Sequence, residues 1–579
     1  MIATGPDLEN SHTSMRCGAY GRRLLVALLI AAYLAILIRN FAPGLESPDV
    51  NGYYAQGSLL ATTGKTYFVV ESPVQFVGRH WLVTGDGRFY SRYSPGFPVL
   101  IASVYRVLGA NASLALNGFL ALLGVFGIYL LVNIELGGYW GVAAAFILAT
   151  NVTFNIHSMI SASHMLALVL LLFGFLFFVI WTRSGRIASV FAAALCIGCL
   201  PAVRPPEALY GMGAAAFILA HSKGRPRVWL HWLAAAAGGL VPLVPFLLYN
   251  HYAFGAFWKT AYELTREQSG FSLRNILYHV PVYARTLFHG DGLGIFFPLG
   301  VAGVAVMCSL KGQRRTGWPL VLFFTPVTLL YMAYYWAPIE QVDYTARFLL
   351  PTFPLYIYAG LWAVRRLRGL GGWHRRLRVI LSVLITLQAV WGGARSLIAL
   401  GYIHRAKSVF AQVTRVLDAN VPPRSVVIAN SDIQQHLDFV RRWRLVDLTL
   451  AWEHPFEKAR EDADAGGPQM IQTHKRLTRA LKYVNLAPDA REEAFARDVL
   501  AWAGAGDVFY VGTEADMNGM HGKWFRSANF RIVARSALPK PSASRFGAAI
   551  EERWRLVLNP FRRADEFVVA KWTVERPPG

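Results

Sequence analysis

Apolar runs close to 20 residues long recur through the first 400 positions of the chain. No other feature restricts the fold as much, because a helix needs roughly 20 residues to cross about 30 Å of hydrocarbon. Eleven segments qualify: 24–42, 113–132, 138–156, 163–181, 187–203, 206–221, 228–250, 292–310, 318–336, 347–364 and 377–397. The stretch 97–110, FPVLIASVYRVLGA, is also apolar. At ~1.5 Å per helical residue it reaches only about 20 Å, so it is expected to lie in the interface rather than to cross. Composition agrees: 54% of the 579 residues are hydrophobic and 16% charged, against about 45–50% and about 25% in a soluble domain. An ordinary water-soluble enzyme is excluded, and the expected fold class is a polytopic α-helical membrane protein.

The formal charge is 57 − 34 = +23. In a soluble chain this would suggest nucleic acid, but membrane proteins concentrate Lys and Arg in cytoplasmic loops, so no nucleic-acid partner is expected. With 97–110 left outside, seventeen positive residues between Arg16 and Arg378 fall on the cytoplasmic side, and the short outer loops hold only Arg204 and Arg347. Counting 97–110 as a span would invert this distribution. Residues 1–23 are therefore expected in the cytoplasm, ahead of an uncleaved first span, in the cell (inner) membrane. Cys196 and Cys199 form a CxxC inside an apolar run with no second ligand pair, which reads as packing rather than metal or redox chemistry.

This orientation gathers three long segments on the extracytoplasmic side: the loops 43–112 and 251–291, and everything after about residue 400. A membrane module over 24–400 is expected to precede an α/β domain over 401–579. In that domain a helix-like stretch 404–418 is followed by a strand 425–430, a helix 432–440, an apolar run 444–450, a charged helix 489–503 and a strand 507–513.

Asp49 follows the first span by about eight residues, with Tyr53 on the same face if the following stretch is helical. A carboxylate would then stand just above the membrane surface, although Asp is also a good N-cap for a helix 50–61. Arg92 and Tyr93 precede a Ser-Pro-Gly turn and would place a cation and a phenol at headgroup level, where both are also common anchors. Arg204, in AVRPPEAL, breaks the positive-inside pattern beside helix-breaking prolines and Glu207. Arg347, in VDYTARF, is the second exception, with Asp343 four residues before it. Both arginines have a local alternative, an ion pair with the neighbouring acid. Together, cations converging on one leaflet suit a phosphate-bearing amphiphile.

Residues 43–110 resemble the first outer loop of the GT-C glycosyltransferases that use a polyprenyl-phosphate sugar donor, the protein O-mannosyltransferase and aminoarabinose transferase superfamily. Asp49 matches the acidic residue of that loop motif, Tyr53 its following aromatic, and Arg92-Tyr93-Ser94-Pro95-Gly96-Phe97-Pro98 its basic-Tyr-Pro-Pro-Gly turn. GDGLGIFFPLG (290–300) is similar to the Gly-Leu-Phe-x-x-x-Pro segment that opens a span, and VDYTARFLLPTFP (342–354) to the Arg-Tyr-Leu-x-Pro signature, with Phe348 in place of Tyr. Many members carry an adjacent Asp-Glu pair where this chain has Asp49-Val50.

The resemblance implies transfer of a sugar, with inversion, from an undecaprenyl- or decaprenyl-phosphate carrier to an extracytoplasmic glycan, lipid or protein. Asp49 would be the base, and Arg92, Tyr93, Arg204 and Arg347 would hold the lipid phosphate. Tyr53, Glu207 and Asp343 would line the substrate pocket. No compact carboxylate or histidine cluster demands a divalent metal. Two other classes compete: a flippase moving lipid-linked sugars without chemistry, and a receptor binding through 401–579. Deletion of that domain is expected to silence the receptor and to spare membrane chemistry.

Overall fold

The computed structural model describes residues 7–448, apart from 79, 265–266, 339–341, 368–371 and 441, and beyond them 483, 486–519, 529–538, 561 and 564–573. Helix α1 (Asp7–Arg39) carries the first apolar run. The chain turns through 40–47 into α2 (Pro48–Thr63), whose start is set by Ser47: its hydroxyl accepts the Val50 N–H at 3.3 Å, and Pro48 fills the first turn. Asp49 therefore lies inside the first turn and is not its cap. Gly64, at φ 71°, closes the helix in the left-handed conformation.

Three short strands follow, β1 (Tyr67–Phe68), β2 (Trp81–Val83) and β3 (Phe89–Ser91), paired antiparallel in the order β1-β3-β2. Immediately after β3 come Arg92 and Tyr93, and then α3 (Gly96–Leu114). This helix is longer than the expected interfacial segment 97–110, and by length and composition it would reach across a membrane. It does so only by running through Gly109, whose φ of 86° and ψ of 179° interrupt the helical backbone. The uninterrupted part, 96–108, spans about 20 Å.

The bundle proper consists of α4 (Leu116–Leu136), α5 (Trp140–Ala149), α6 (Val152–Met159), α7 (His164–Ser184), α8 (Ile187–Val203), α9 (Tyr210–Ser222) and α10 (Val228–Phe254). It continues after α11 (Ala261–Leu264) and α12 (Leu273–Phe288) with α13 (Phe296–Ser309), α14 (Arg314–Ala333), α15 (Val342–Ala346), α16 (Phe353–Arg366) and α17 (Trp373–Asn420). Among the described residues seven helices are long and apolar enough to cross a membrane, or eight if α5 and α6, bent by 62°, are one span. Of the eleven expected spans, four form short helices and one is the bent α5–α6 pair, while α3 adds one that was not expected. The short helices are α8 with 17 residues, α9 with 13, and α13 and α16 with 14 each. Two proline-containing 3-10 turns bound three of these: Pro205–Leu209 separates α8 from α9, and Leu350–Thr352 precedes α16.

Helix α17 runs 48 residues, through position 400, into the second unit without a break. There β4 (Val426–Ala429), α18 (Ser431–Gln434), β5 (Arg444–Asp447), α19 (Pro488–Ala503), β6 (Val508–Gly512), α20 (Glu514–Gly519), β7 (Asn529–Ala537) and β8 (Glu566–Thr573) build a five-stranded sheet. Its order is β5-β4-β6-β8-β7, with β5, β4 and β6 parallel and β8 and β7 antiparallel. All four residues of β4 are buried, as a central parallel strand requires. The expected helix 432–440 shrinks to α18. Beyond it the carbonyls of Gln435 and Leu437 bond the Asn51 side chain instead of a helical N–H. The end of the run 444–450 and the stretch 451–482 lie outside the described residues.

Sheet and membrane module share one apolar core. Leu59, Phe76, Trp81 and Phe89 of the first loop pack with Val413 and Leu417 of α17 and with Val427, Phe439 and Leu445 of the sheet domain. The N–H of Phe76 donates to the carbonyl of Leu445 at 2.7 Å, and that of Asp447 to the carbonyl of Val74 at 2.8 Å. The first loop thus extends the sheet beyond β5.

Candidate active site

The first turn of α2 presents Asp49 to three donors from three places in the chain. His80 Nε2 lies 2.9 Å from Oδ1, the Tyr93 hydroxyl donates to the same oxygen at 2.8 Å, and Arg347 Nη1 stands 3.6 Å from Oδ2. The Asp49 side chain keeps 36% of its surface accessible, while His80 and Arg347 keep 11% and 17%. The carboxylate is thus gripped from behind and open in front. Burial acts to raise its pKa, but the hydrogen bond and charge of His80, the Arg347 charge and the Tyr93 hydrogen bond outweigh it and hold the group well below the usual carboxylate range. Burial and the Asp49 charge keep the Tyr93 phenol protonated, which suits it to donate.

Tyr93 is itself fixed by Tyr53, one helical turn after Asp49, with ring centroids 4.1 Å apart and planes 17° from parallel. The Tyr53 hydroxyl shares a 2.8 Å hydrogen bond with Ser163 at the start of α7. Gly52 makes this stack possible: a Cβ there would sit 2.7 Å from Tyr93 Cε2. The turn after Tyr93 is equally close-packed, because a Cβ on Gly96 would meet the Ala202 carbonyl oxygen at 2.6 Å.

The arginines divide into two kinds. Arg92 lies over the rings of Tyr93 and Tyr262, 5.6 Å from each centroid. Arg347 lies within 5.0–5.2 Å of the rings of Trp336, Tyr344 and Phe348, and its Nε is a buried donor without a partner among the described residues. The alternative of a local ion pair with Asp343 is not what the structure records: the backbone N–H of Arg347 meets Asp343 at its carbonyl oxygen, while the guanidinium turns to Asp49. Asp343 is buried, which pushes its carboxyl up to about 7. Arg204 does form the local ion pair, Nη1 to Glu207 Oε1 at 2.7 Å. It also binds His164 Nδ1 at 2.9 Å and donates from Nη2 to the Tyr331 hydroxyl at 2.8 Å.

The structure therefore brings Asp49, Tyr53, Arg92, Tyr93 and Arg347 into one cluster. Arg204 and Glu207 form a second, buried cluster with His164 and Tyr331, and His164 adjoins the Ser163 that bonds Tyr53. Asp343 is buried and meets Arg347 through the backbone, with no side-chain bond to Asp49 among the described residues. Sequence reasoning missed His80, His164 and Tyr331. His80 lies in an irregular loop 31 positions from Asp49, and nothing periodic marks it.

No protein-family model matches the chain, and no curated protein matches it. Solved structures do. ArnT from Cupriavidus metallidurans bound to undecaprenyl phosphate aligns with a TM-score of 0.57 at 12% identity, over 94% of this chain and 97% of that one. Its apo state gives a TM-score of 0.55 at the same identity and coverage. The oligosaccharyltransferase of Archaeoglobus fulgidus in the apo form aligns at 0.51 and 11% identity, over 86% of this chain and 70% of that one. The chain shares the fold of these solved structures. The alignment to ArnT runs over nearly the full length of both chains, so the shared fold includes the sheet domain as well as the bundle.

Proposed function

We propose that this chain is a GT-C glycosyltransferase that moves a sugar, with inversion, from a polyprenyl-phosphate carrier to an acceptor hydroxyl on the extracytoplasmic face of the cell membrane. The observation that carries the reading is the meeting of an ionised, solvent-open carboxylate with Arg347 and the nearby Arg92, in a fold shared with a protein crystallised with undecaprenyl phosphate. The side is inferred from the arginine and lysine asymmetry of the loops.

In this reaction the acceptor oxygen attacks the anomeric carbon while the bond from that carbon to the phosphate oxygen breaks, its electron pair leaving with the lipid phosphate. Asp49, held ionised, is a weak base in the ground state. It accepts a hydrogen bond from the acceptor hydroxyl, aligns it, and takes the proton as bond formation acidifies the oxygen. Oδ1 is occupied by His80 and Tyr93, so Oδ2 is the oxygen left to do this. The growing charge on the phosphate is met by Arg347, whose Nε is a ready donor, and by Arg92. Arg204, committed to Glu207, His164 and Tyr331, contributes fixed positive charge from the neighbouring buried cluster rather than a direct grip. Tyr53 keeps Tyr93 in register. Glycan, lipid and protein hydroxyls all satisfy this chemistry as acceptors.

Undecaprenyl phosphate binding to the purified full chain in nanodiscs separates the roles. Arg347→Ala is expected to weaken binding at least about tenfold, the scale of one charge-assisted phosphate contact, while Asp49→Asn leaves it nearly unchanged. Equal binding by Arg347→Ala would remove that residue from the phosphate site. Carrier movement across sealed vesicles with no glycosylated product would favour the flippase.

A further inference from the structure

Both halves of the Asp49–His80 pair rest on a single segment of the sheet domain. Asn51, two residues after Asp49 and buried, donates from Nδ2 to the carbonyls of Gln435 at 2.8 Å and Leu437 at 3.0 Å. Two residues before His80, Gly78 lies so close to Phe439 that a Cβ would sit 2.7 Å from its ring. That ring meets Phe76, Trp81 and Phe68 edge-on at centroid distances of 5.4, 6.0 and 6.0 Å. The same segment reaches the stretch ahead of α2 as well: His436 stacks on Phe410 of α17 at 3.8 Å and its Nδ1 bonds the Leu45 carbonyl at 2.6 Å. The His80 carbonyl in turn accepts the Arg92 N–H at 2.7 Å, so the grip passes on to a proposed phosphate ligand. The contacts of this segment with Leu45, Asn51 and Gly78 span 361 to 391 positions in sequence, for a pair whose geometry must hold to a fraction of an ångström.

We propose that segment 435–439 of the sheet domain is a positioning element for the transfer reaction, acting through Asn51 on Asp49 and through Phe439 and Gly78 on His80. This rests on the glycosyltransferase reading. Asn51, Gly78 and Phe439 touch no substrate; they set the angle at which the carboxylate faces the acceptor and the depth of the histidine behind it. The sheet domain is then a working part of the catalytic centre and not an appended recognition module.

The test uses the full chain in nanodiscs with radiolabelled undecaprenyl-phosphate sugars and envelope extract as acceptor. Asn51→Ala is expected to lower kcat by about 10²-fold, the effect of an ångström-scale misplacement, with the KM for the carrier and undecaprenyl phosphate binding unchanged. Hydrogen exchange in the first turn of α2 should rise while the membrane helices exchange as before. Gly78→Ala should also lower kcat, and adding Phe439→Leu in the same chain should restore it, which a general loss of folding would not allow. If Asn51→Ala and Gly78→Ala keep native kcat and native exchange in α2 while Asp49→Asn abolishes transfer, the positioning role is overturned and the transferase reading stands. A native chain that yields no product with any carrier overturns the reading, and the positioning role with it.

Discussion

The two oxygens of Asp49 have different work because their neighbours differ. Oδ1 is saturated by an imidazole and a phenol, whereas Oδ2 faces an arginine 3.6 Å away and the open side of the cluster. A carboxyl held below its usual range stays ionised through the neutral region, so it supplies no acidic limb to a pH–rate profile near neutrality. Asp343 is the opposite case. Burial pushes it up to about 7 from a reference value of 3.8, so the folded chain retains a proton that the unfolded chain has lost across that interval. Stability contributed by this group is full below about pH 4 and declines as pH rises through 7. Asp343→Asn should abolish that decline, visible as a smaller fall in melting temperature between pH 5 and pH 8 than in the native chain; parallel falls would contradict it. At this scale Asp49, Arg92, Tyr93 and Arg347 could be named from sequence, since each stands out against its apolar or loop surroundings. The cations were also expected on one leaflet, but their contacts with Asp49 and the part of His80 could not be read, because contacts over 31 and 298 positions leave no local pattern.

Elements are held to one another by a few buried charges. Lys407 of α17 is fully buried; it donates to the Met159 carbonyl at 2.8 Å and lies 3.5 Å from Glu46, just ahead of α2. Burial raises the Glu46 carboxyl and the Lys407 charge opposes that rise. Lys407→Met strands a buried carboxylate, which should cost about 3–5 kcal/mol. Thermal unfolding in nanodiscs checks this, and adding Glu46→Gln should recover part of the loss. The apolar runs made most helices legible. Less legible were two helix ends: α3 breaks at Gly109, where glycine takes a positive φ, and α18 stops where Asn51 claims the next carbonyls. In α18 a long-range contact overrode local propensity.

As a whole the molecule does not divide cleanly at residue 400, because α17 crosses that position and the first loop shares its core with the sheet domain. Removing 421–579 would expose Phe76, Trp81 and Phe89 together, a patch of the kind that drives aggregation. Such a chain should bind carrier poorly, make no product and elute as an aggregate; a monodisperse, active truncation would show that the shared core is dispensable. This revises the expectation that deletion spares the membrane chemistry. The central claim is that Asp49 activates an acceptor for transfer from a polyprenyl-phosphate sugar. It is tested most directly by comparing the native chain with Asp49→Asn in lipid, using a radiolabelled carrier panel and envelope extract. Loss of general-base assistance should lower transfer by about 10²–10⁴-fold with carrier binding retained; transfer by Asp49→Asn at the native rate would contradict the account.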